Sequence, residues 1–167
     1  TEFDDTKTSV LGDYIPGKLS FDSDEQAIYM AVTDDYSGYM IFVFENGKIA
    51  KVDMQSYVTK TNRKRLIGAY SDKATIAEII YIKEDTEILL TSSNGRMLLL
   101  HTGKINSKAT KNTQGVAVMT QRKGQMVVSA KMYQDGMLSN PHRYRGRSLP
   151  AAGSFPSAEE AGEQLSL

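Results

Sequence analysis

The sequence contains no cysteine, only two histidines and only four prolines among its 167 residues. Without cysteine the chain has neither a disulfide framework nor a thiolate metal site, and only two histidines are left as nitrogen ligands, which argues against a zinc site. No run approaches the roughly 20 apolar residues of a membrane helix, so no membrane partner is expected. No basic and apolar signal peptide opens the chain. The first residue is Thr1 rather than Met, and we expect an excised or processed fragment.

The formal net charge is zero, but the charges are unevenly distributed along the chain. Residues 1–46 hold 10 acidic and 2 basic side chains, residues 47–147 hold 7 and 18, and residues 148–167 add three glutamates. Such asymmetry fits a polyanionic partner for the middle of the chain, with acidic flanks that repel or shield it. A solvated, lysine-rich surface is the alternative interpretation of the same pattern.

A repeat with an offset of 48 residues organises the chain: the segment 44–52 matches the segment 92–100. Each copy has apolar residues, then Asn-Gly, then a basic residue, then a second apolar run. Asn-Gly between apolar runs is the strongest short-range signal for a β-hairpin, through a type I′ turn that needs positive φ twice. The sequence therefore predicts hairpins around Asn46-Gly47 and Asn94-Gly95.

The similarity between the copies continues beyond the hairpins. Each is followed by a basic loop (57–65 and 105–114), a glycine (Gly68 or Gly115) and a further strand (75–82 and 125–132). An upstream strand is predicted at 26–33. Units of about 48 residues with about four strands each are typical of blades around an axis. We expect an all-β, propeller-like fold with about two full blades and partial ones, forming a partial ring.

Three regions follow from this organisation. Residues 1–24 are an acidic lead-in, residues 25–138 hold the repeats, and residues 139–167 are expected to be a flexible or partner-ordered tail, because they are rich in Ala, Ser, Pro, Gly and Glu. The pattern signals a short helix only weakly, at 8–20 or 157–165.

Residues for catalysis do not converge in this sequence. It has no phosphate-cradling glycine loop and no nucleophile elbow. His101 and His142 lie in different segments without an obvious acidic partner. The acidic pairs Asp34-Asp35 and Glu84-Asp85 fall at predicted turns, where solvated side chains are expected. We predict no catalytic and no metal-binding residue.

The repeat unit resembles the blade repeat of the C-terminal domain of the gyrase and topoisomerase IV A subunits. The best-matching stretches are 88–96 and 112–116, and the resemblance covers about residues 25–135. In that family the domain is a β-pinwheel, a propeller-like ring whose blades exchange strands, and DNA bends around its basic outer rim. The resemblance implies a non-catalytic domain that binds and bends duplex DNA for a type IIA topoisomerase.

The resemblance also implies the surroundings of the domain. Its partners would be duplex DNA, the rest of the A subunit and the ATPase B subunit, in the bacterial cytoplasm at the nucleoid. No cofactor is expected in this fragment, because ATP and Mg²⁺ belong to other parts of the holoenzyme. That enzyme cleaves DNA with a tyrosine preceded by an arginine. Arg143-Tyr144 has this order, but it lies after the repeats, and we do not assign it that role.

If equivalent positions recur on one rim, the basic residues of the loops and turns form a curved track for phosphates. The predicted DNA-binding residues are Lys48, Lys51, Lys60, Arg63, Lys64, Arg65, Arg96, Lys104, Lys108, Lys111, Arg122 and Lys123. The gyrase box Gln-Arg-Arg-Gly-Gly-Lys-Gly is not matched, since the corresponding loop at 61–68 lacks the double glycine. This departure favours a topoisomerase IV-like or degenerate pinwheel over full gyrase-type wrapping.

Two other function classes stay open on the sequence. A propeller-like protein-interaction module would present the basic surface to an acidic partner, and its binding would depend little on salt. A small enzyme with a site in a propeller channel would need carboxylates or histidines clustered at one mouth, and the sequence shows no such cluster.

Overall fold

The computed structural model describes residues 35–58 and 69–160, and β-strands dominate both ranges. The strands are β1 (Tyr39–Phe44), β2 (Lys48–Asp53), β3 (Ile76–Ile82), β4 (Glu87–Ser92), β5 (Met97–His101), β6 (Val116–Ala117) and β7 (Val127–Met132). Short 3₁₀ helices span Met54–Tyr57, Thr102–Lys104 and Pro141–Arg143, and residues 158–160 are α-helical. The expected all-β fold is confirmed. The strand predicted at 26–33 lies outside the described residues.

The strands form two antiparallel sheets, each built around one of the predicted hairpins. The first sheet has the order β3-β1-β2-β6 and the second has the order β5-β4-β7. The hairpin β1–β2 is central to the first sheet, and the equivalent hairpin β4–β5 supplies two strands of the second. Because both sheets repeat one plan at the spacing seen in the sequence, each is a blade.

The hairpin turns have a different geometry from the predicted type I′ turn. The amide of Gly47 donates to the carbonyl of Phe44, and that of Gly95 donates to the carbonyl of Ser92. Only the glycines have positive φ, 83° and 87°, whereas Asn46 and Asn94 do not. Each loop is therefore a three-residue hairpin loop that ends in a left-handed glycine. The asparagine side chains accept the amide of the residue two positions later, which stabilises this loop.

The second repeat contributes a strand to the first blade. The short strand β6 follows the second hairpin in sequence, yet it pairs with β2 of the first sheet through Val116 and Ile49. We call residues 102–117, which make this crossing, the first strap. Its middle also lies on the first sheet, because Lys108 exchanges backbone hydrogen bonds with Lys51 and Asp53 at 2.8 and 3.1 Å. The outer edge of the first blade is thus covered by backbone from the next repeat.

A second segment covers the corresponding edge of the second blade. Residues 139–154, the second strap, pair with β5 through an antiparallel bridge from Ser154 to Met97 and a parallel bridge from Arg145 to Leu99. Met97 is the residue 48 positions after Ile49, so the two straps occupy equivalent places on equivalent strands. Residues 139–154, which the sequence analysis assigned to a flexible or partner-ordered tail, thus pair with β5, and residues 161–167 lie outside the described ranges.

Burial of apolar side chains explains why the second strap is ordered. Tyr144 is 1% exposed and packs with Leu89, Leu99 and Leu138 on the outer face of the second sheet. Its hydroxyl donates to the carboxylate of Glu160. Fully burying a side chain of this size stabilises the fold by about 1.5–3 kcal/mol, which composition alone did not reveal.

The main core lies between the two sheets. It contains Ile41, Val43 and Ile49 from the first sheet and Ile88 and Leu98 from the second. Alternate residues of β1, including Phe42 and Phe44, face the opposite side and form a separate cluster, as the period of two along a strand requires. The blades are therefore held together by an apolar interface, while the straps lie at their edges.

Candidate nucleic-acid interface

The first strap presents basic side chains on a fixed backbone. It contains three lysines and no acidic residue. Lys104 and Lys108 are exposed and Lys111 is half-buried. None of the three forms an ion pair within the part of the chain that the structure describes. Their charges are therefore not neutralised there, and the pairing of the strap with β2 holds them at the edge of the first blade.

The second strap repeats this composition with arginines. Arg143, Arg145 and Arg147 lie in it, again without an acidic residue between positions 139 and 154. Arg143 and Arg147 are exposed. Arg145 is bound to Glu87 at the start of β4, with Nε and Nη2 donating to the two carboxylate oxygens at 2.7 and 2.8 Å. This bidentate pair lowers the pKa of Glu87 and engages the charge of Arg145.

The two straps adjoin each other. The Nζ of Lys104 donates to the carbonyl of Gly146 at 3.0 Å. Just beyond β6, the amide of Thr120 donates to the carbonyl of Ala151, and the amide of Ala151 donates to the carbonyl of Val118. The first strap and the residues that follow it are therefore in direct contact with the second strap.

The basic residues of the turns take different roles. Arg122 and Lys123 are exposed at a turn closed by a hydrogen bond from Gln125 to Arg122. Lys48 is half-buried at the start of β2. Arg96 holds the second strap in place: its Nη1 donates to the carbonyl of Gly153 at 3.1 Å, and its guanidinium lies 4.3 Å from the ring centroid of Phe155.

Lys51 does not belong to the surface set, contrary to the sequence prediction. It is only 5% exposed, its Nζ lies 2.6 Å from Asp85, and the same Nζ donates to the carbonyl of Thr102 at 3.2 Å. It also lies over the ring of Tyr39. Burial of Asp85 works to raise the pKa of that carboxyl, but the hydrogen bonds from Lys51 and Thr102 outweigh it and the pKa is lowered. Asp85 is exposed at a turn, as expected, but it also forms an ion pair with Lys51.

Four predicted DNA-binding residues cannot be placed on this surface. Lys60, Arg63, Lys64 and Arg65 belong to the predicted basic loop and lie within residues 59–68, outside the described residues. The prediction for this loop is neither supported nor opposed by the geometry.

The side chains considered for catalysis have structural partners. His101 ends β5, and its Nδ1 accepts the amide of Gly103. Tyr144, which follows Arg143, is buried, and its hydroxyl bonds to Glu160 and Ser157. Across residues 35–58 and 69–160, the structure has no group of three or more His, Asp or Glu side chains suited to a metal ion. The helices in the same ranges include none long and apolar enough to cross a membrane.

Sequence reasoning missed Arg143 and Arg147 as members of the candidate surface. Residues 142–147 are basic, but no Asn-Gly hairpin precedes them in the sequence to mark a third repeat. A weak signal in the sequence was the glycine near the end of the strap, Gly153. Gly153 has φ of 79°, as Gly115 does at the end of the first strap.

Comparison with known proteins supports the fold. No family model and no curated protein matches the chain. The crystal structure of the C-terminal domain of DNA topoisomerase IV matches with a TM-score of 0.65 and 22% identity, over 80% of this chain and 42% of that domain. The structure of the DNA gyrase A C-terminal domain matches with a TM-score of 0.54 and 16% identity, over 75% of this chain and 46% of that one. The chain has the fold of these domains and spans less than half of their length.

Proposed function

We propose that this chain binds the backbone of duplex DNA, as a non-catalytic domain of a type IIA topoisomerase A subunit. The observation that carries the proposal is the first strap, whose lysines Lys104, Lys108 and Lys111 have no ion-pair partner in the described residues and are held by a sheet edge. The similarity of fold to the topoisomerase IV and gyrase A C-terminal domains is independent support.

Phosphate chemistry accounts for the choice of partner. Lysine is a compact point charge that binds phosphate without reading sequence, so the track would position a duplex of any sequence. Each phosphate it neutralises releases condensed counterions and adds about 0.9 to the slope of log K against log salt. A track that extends over two blades favours a bent duplex, because bending brings more phosphates within reach. The added contacts offset the elastic cost of bending, which is about 1–6 kcal/mol.

The wider setting is part of the same proposal. The chain itself would use no cofactor, whereas ATP would be bound by a partner B subunit and Mg²⁺ would serve DNA cleavage in another part of the A subunit. It would act in the cytoplasm at the nucleoid. The lack of the double glycine at 61–68 favours moderate bending over a full wrap.

Titration of a random-sequence duplex of about 40 base pairs, across about 50–300 mM salt, tests this proposal. The wild type is expected to bind with a steep salt slope. The variant K104A/K108A/K111A is expected to lose up to about 2.7 from that slope. The matched control is K73A/K83A/K131A, which removes the same charge from three exposed lysines outside both straps.

The outcomes separate DNA binding from its main rival. Equal weakening in both triple variants would mean that net charge alone attracts DNA, and the strap would lose its role. Absence of binding at low salt would overturn the proposal. The chain would then be better explained as a module for an acidic protein partner.

A further inference from the structure

We infer that the second strap is a second phosphate-binding segment, in which Arg143 and Arg147 contact the DNA backbone and Arg145 does not. This inference rests on the proposed function and extends it to a part of the chain that lies outside the sequence repeats. It assigns different roles to three arginines that alternate along six residues, and it does so from their partners.

The first step is the equivalence of the two straps. Val116 of the first strap pairs with Ile49, and Ser154 of the second pairs with Met97, which is 48 residues further along. A parallel bridge lies in the middle of each strap, from Lys108 to Val52 and from Arg145 to Leu99, with the register of the second shifted by one residue relative to the 48-residue repeat. The second strap therefore pairs with β5 at the edge of the second blade, as the first strap pairs with β2 at the edge of the first.

The glycine at the end of each strap supports this equivalence. Gly115 and Gly153 both have φ of 79°. A Cβ atom on Gly115 would lie 2.3 Å from the carbonyl oxygen of Ile49, and one on Gly153 would lie 2.8 Å from that of Met97. Both straps thus meet the β-strand of their blade by the same close backbone approach, which only glycine permits.

The second step is the difference in partners among the three arginines. Arg147 is exposed and its side chain forms no hydrogen bond or ion pair within the described residues. Arg143 is exposed and uses only its Nε, which donates to the carbonyl of Phe155 at 3.2 Å. Arg145 donates hydrogen bonds from Nε and Nη2 to the carboxylate of Glu87, and its Nη1 lies 3.1 Å from Nδ1 of His142. Two guanidinium groups therefore have donors available for phosphate, while the third is engaged by its own carboxylate.

The third step is continuity. The hydrogen bond from Lys104 to Gly146 places the start of the first strap next to the residue that precedes Arg147. A duplex bound at the start of the first strap would therefore lie close to the second strap at this point. Because duplex DNA offers a phosphate about every 1.7 Å of its axis, counting both strands, contacts on adjoining segments require no special register.

The test compares R143A/R147A with the wild type in the same salt titration. The slope of log K against log salt is expected to fall by about 1.8, the value for two phosphate contacts. Two matched variants separate contact from structure. R143K/R147K keeps both charges and should restore the slope, and K73A/K131A removes two charges elsewhere and should leave it within about 0.3 of wild type. Circular dichroism and thermal unfolding verify that R143A/R147A is folded.

Each outcome decides the inference separately from the proposed function. Loss of slope in R143A/R147A with restoration by lysine supports it. A wild-type slope in R143A/R147A, together with the expected loss in K104A/K108A/K111A, would overturn it while the proposed function stands. If the wild type does not bind the duplex at all, the proposed function fails first, and the assignment fails with it. If only R145A lowers the slope, the roles of the arginines are reversed from those inferred here.

Discussion

Lys48 and Lys51 lie three residues apart in β2 but face different surroundings. Successive side chains of a strand point to opposite faces, and Lys51 follows Ile49 by two positions. It therefore points toward the second blade, as Ile49 does, and meets Asp85 there. The basic residues after Asn46-Gly47 looked alike in the sequence, whereas the alternation of the strand separates a surface cation from a buried one.

Replacing Lys51 by methionine should destabilise the fold without weakening DNA binding. The aliphatic stem is kept, but Asp85 loses its charged partner, and a hydrogen bond to a charged group contributes about 1.5–3 kcal/mol. Urea unfolding should show a loss of free energy in this range. Lys48→Met is the control and should change it by less than about 0.5 kcal/mol. If folded K51M bound DNA more weakly than wild type, Lys51 would be a DNA-binding residue, as the sequence analysis predicted.

A glycine is needed at position 115 for two reasons: its φ is positive, and an added Cβ would clash with the backbone of a neighbouring strand. A pair of variants separates these two causes. Gly115 and Gly95 both have positive φ, but an added Cβ meets the carbonyl of Ile49 only at Gly115, while nothing lies within 4 Å at Gly95. Gly95→Ala should cost about 1–2 kcal/mol from backbone strain alone. Gly115→Ala should cost at least about 1 kcal/mol more. Equal costs in thermal or urea unfolding would show that the strap end can move away.

At the scale of elements, the second strap is joined to β4 by the pair of Glu87 and Arg145. The hydrogen bonds from Arg145 lower the pKa of Glu87. A carboxyl with a lowered pKa in the folded state stabilises the fold above its unfolded pKa, and this stabilisation is lost as pH falls through the folded pKa. The strap should therefore be held less firmly in acid.

The variant Glu87→Gln tests this pH dependence. Above about pH 5 its free energy of unfolding should be lower than that of wild type by about 1 kcal/mol, after allowance for partial exposure of the pair. The difference should shrink as pH falls from about 5 to about 3, because the wild-type carboxyl takes up a proton. Glu84→Gln, at an exposed turn, should differ by less than about 0.5 kcal/mol. A constant deficit in E87Q at all pH values would rule out the ionised pair as its cause.

The elements that could be predicted are those fixed by residues close to one another in the sequence. The hairpins β1–β2 and β4–β5 and the outer strands β3 and β7 were found from apolar runs and Asn-Gly turns, because the residues that fix them are close in sequence. The turn type was wrong, since the same dipeptide also serves a three-residue loop. The straps were not recognised, because their pairing joins residues such as Met97 and Ser154 that are far apart in the chain.

At the scale of the whole molecule, the candidate surface depends on this long-range pairing. Sequence reasoning identified the lysines of the first strap, because the repeat placed them in a loop. It classed the arginines of the second strap with a tail, because alanine, serine and proline around them are typical of disordered segments. The buried Tyr144 and the pairing with β5 hold that segment in place, and neither has a compositional signature.

A chain ending at residue 138 provides the strongest test of this architecture. It would expose Leu89 and Leu99 and remove the partners of the Met97 and Leu99 amides, which bond to Ser154 and Tyr144. Loss of one buried tyrosine and two hydrogen bonds should cost at least about 3 kcal/mol. This is a large share of the about 5–15 kcal/mol that stabilises a domain.

The comparison that makes this test decisive is with R143A/R147A, which removes two of the same charges but keeps the strap. That variant should lose DNA affinity and keep its unfolding free energy within about 1 kcal/mol of wild type, whereas the shortened chain should lose both and bind a dye for exposed apolar surface. A shortened chain with a wild-type unfolding midpoint would show that residues 139–167 are the flexible or partner-ordered tail that composition predicts. The pairing of residues 139–154 with β5 would then be wrong, and so would the assignment of Arg143 and Arg147 to DNA binding.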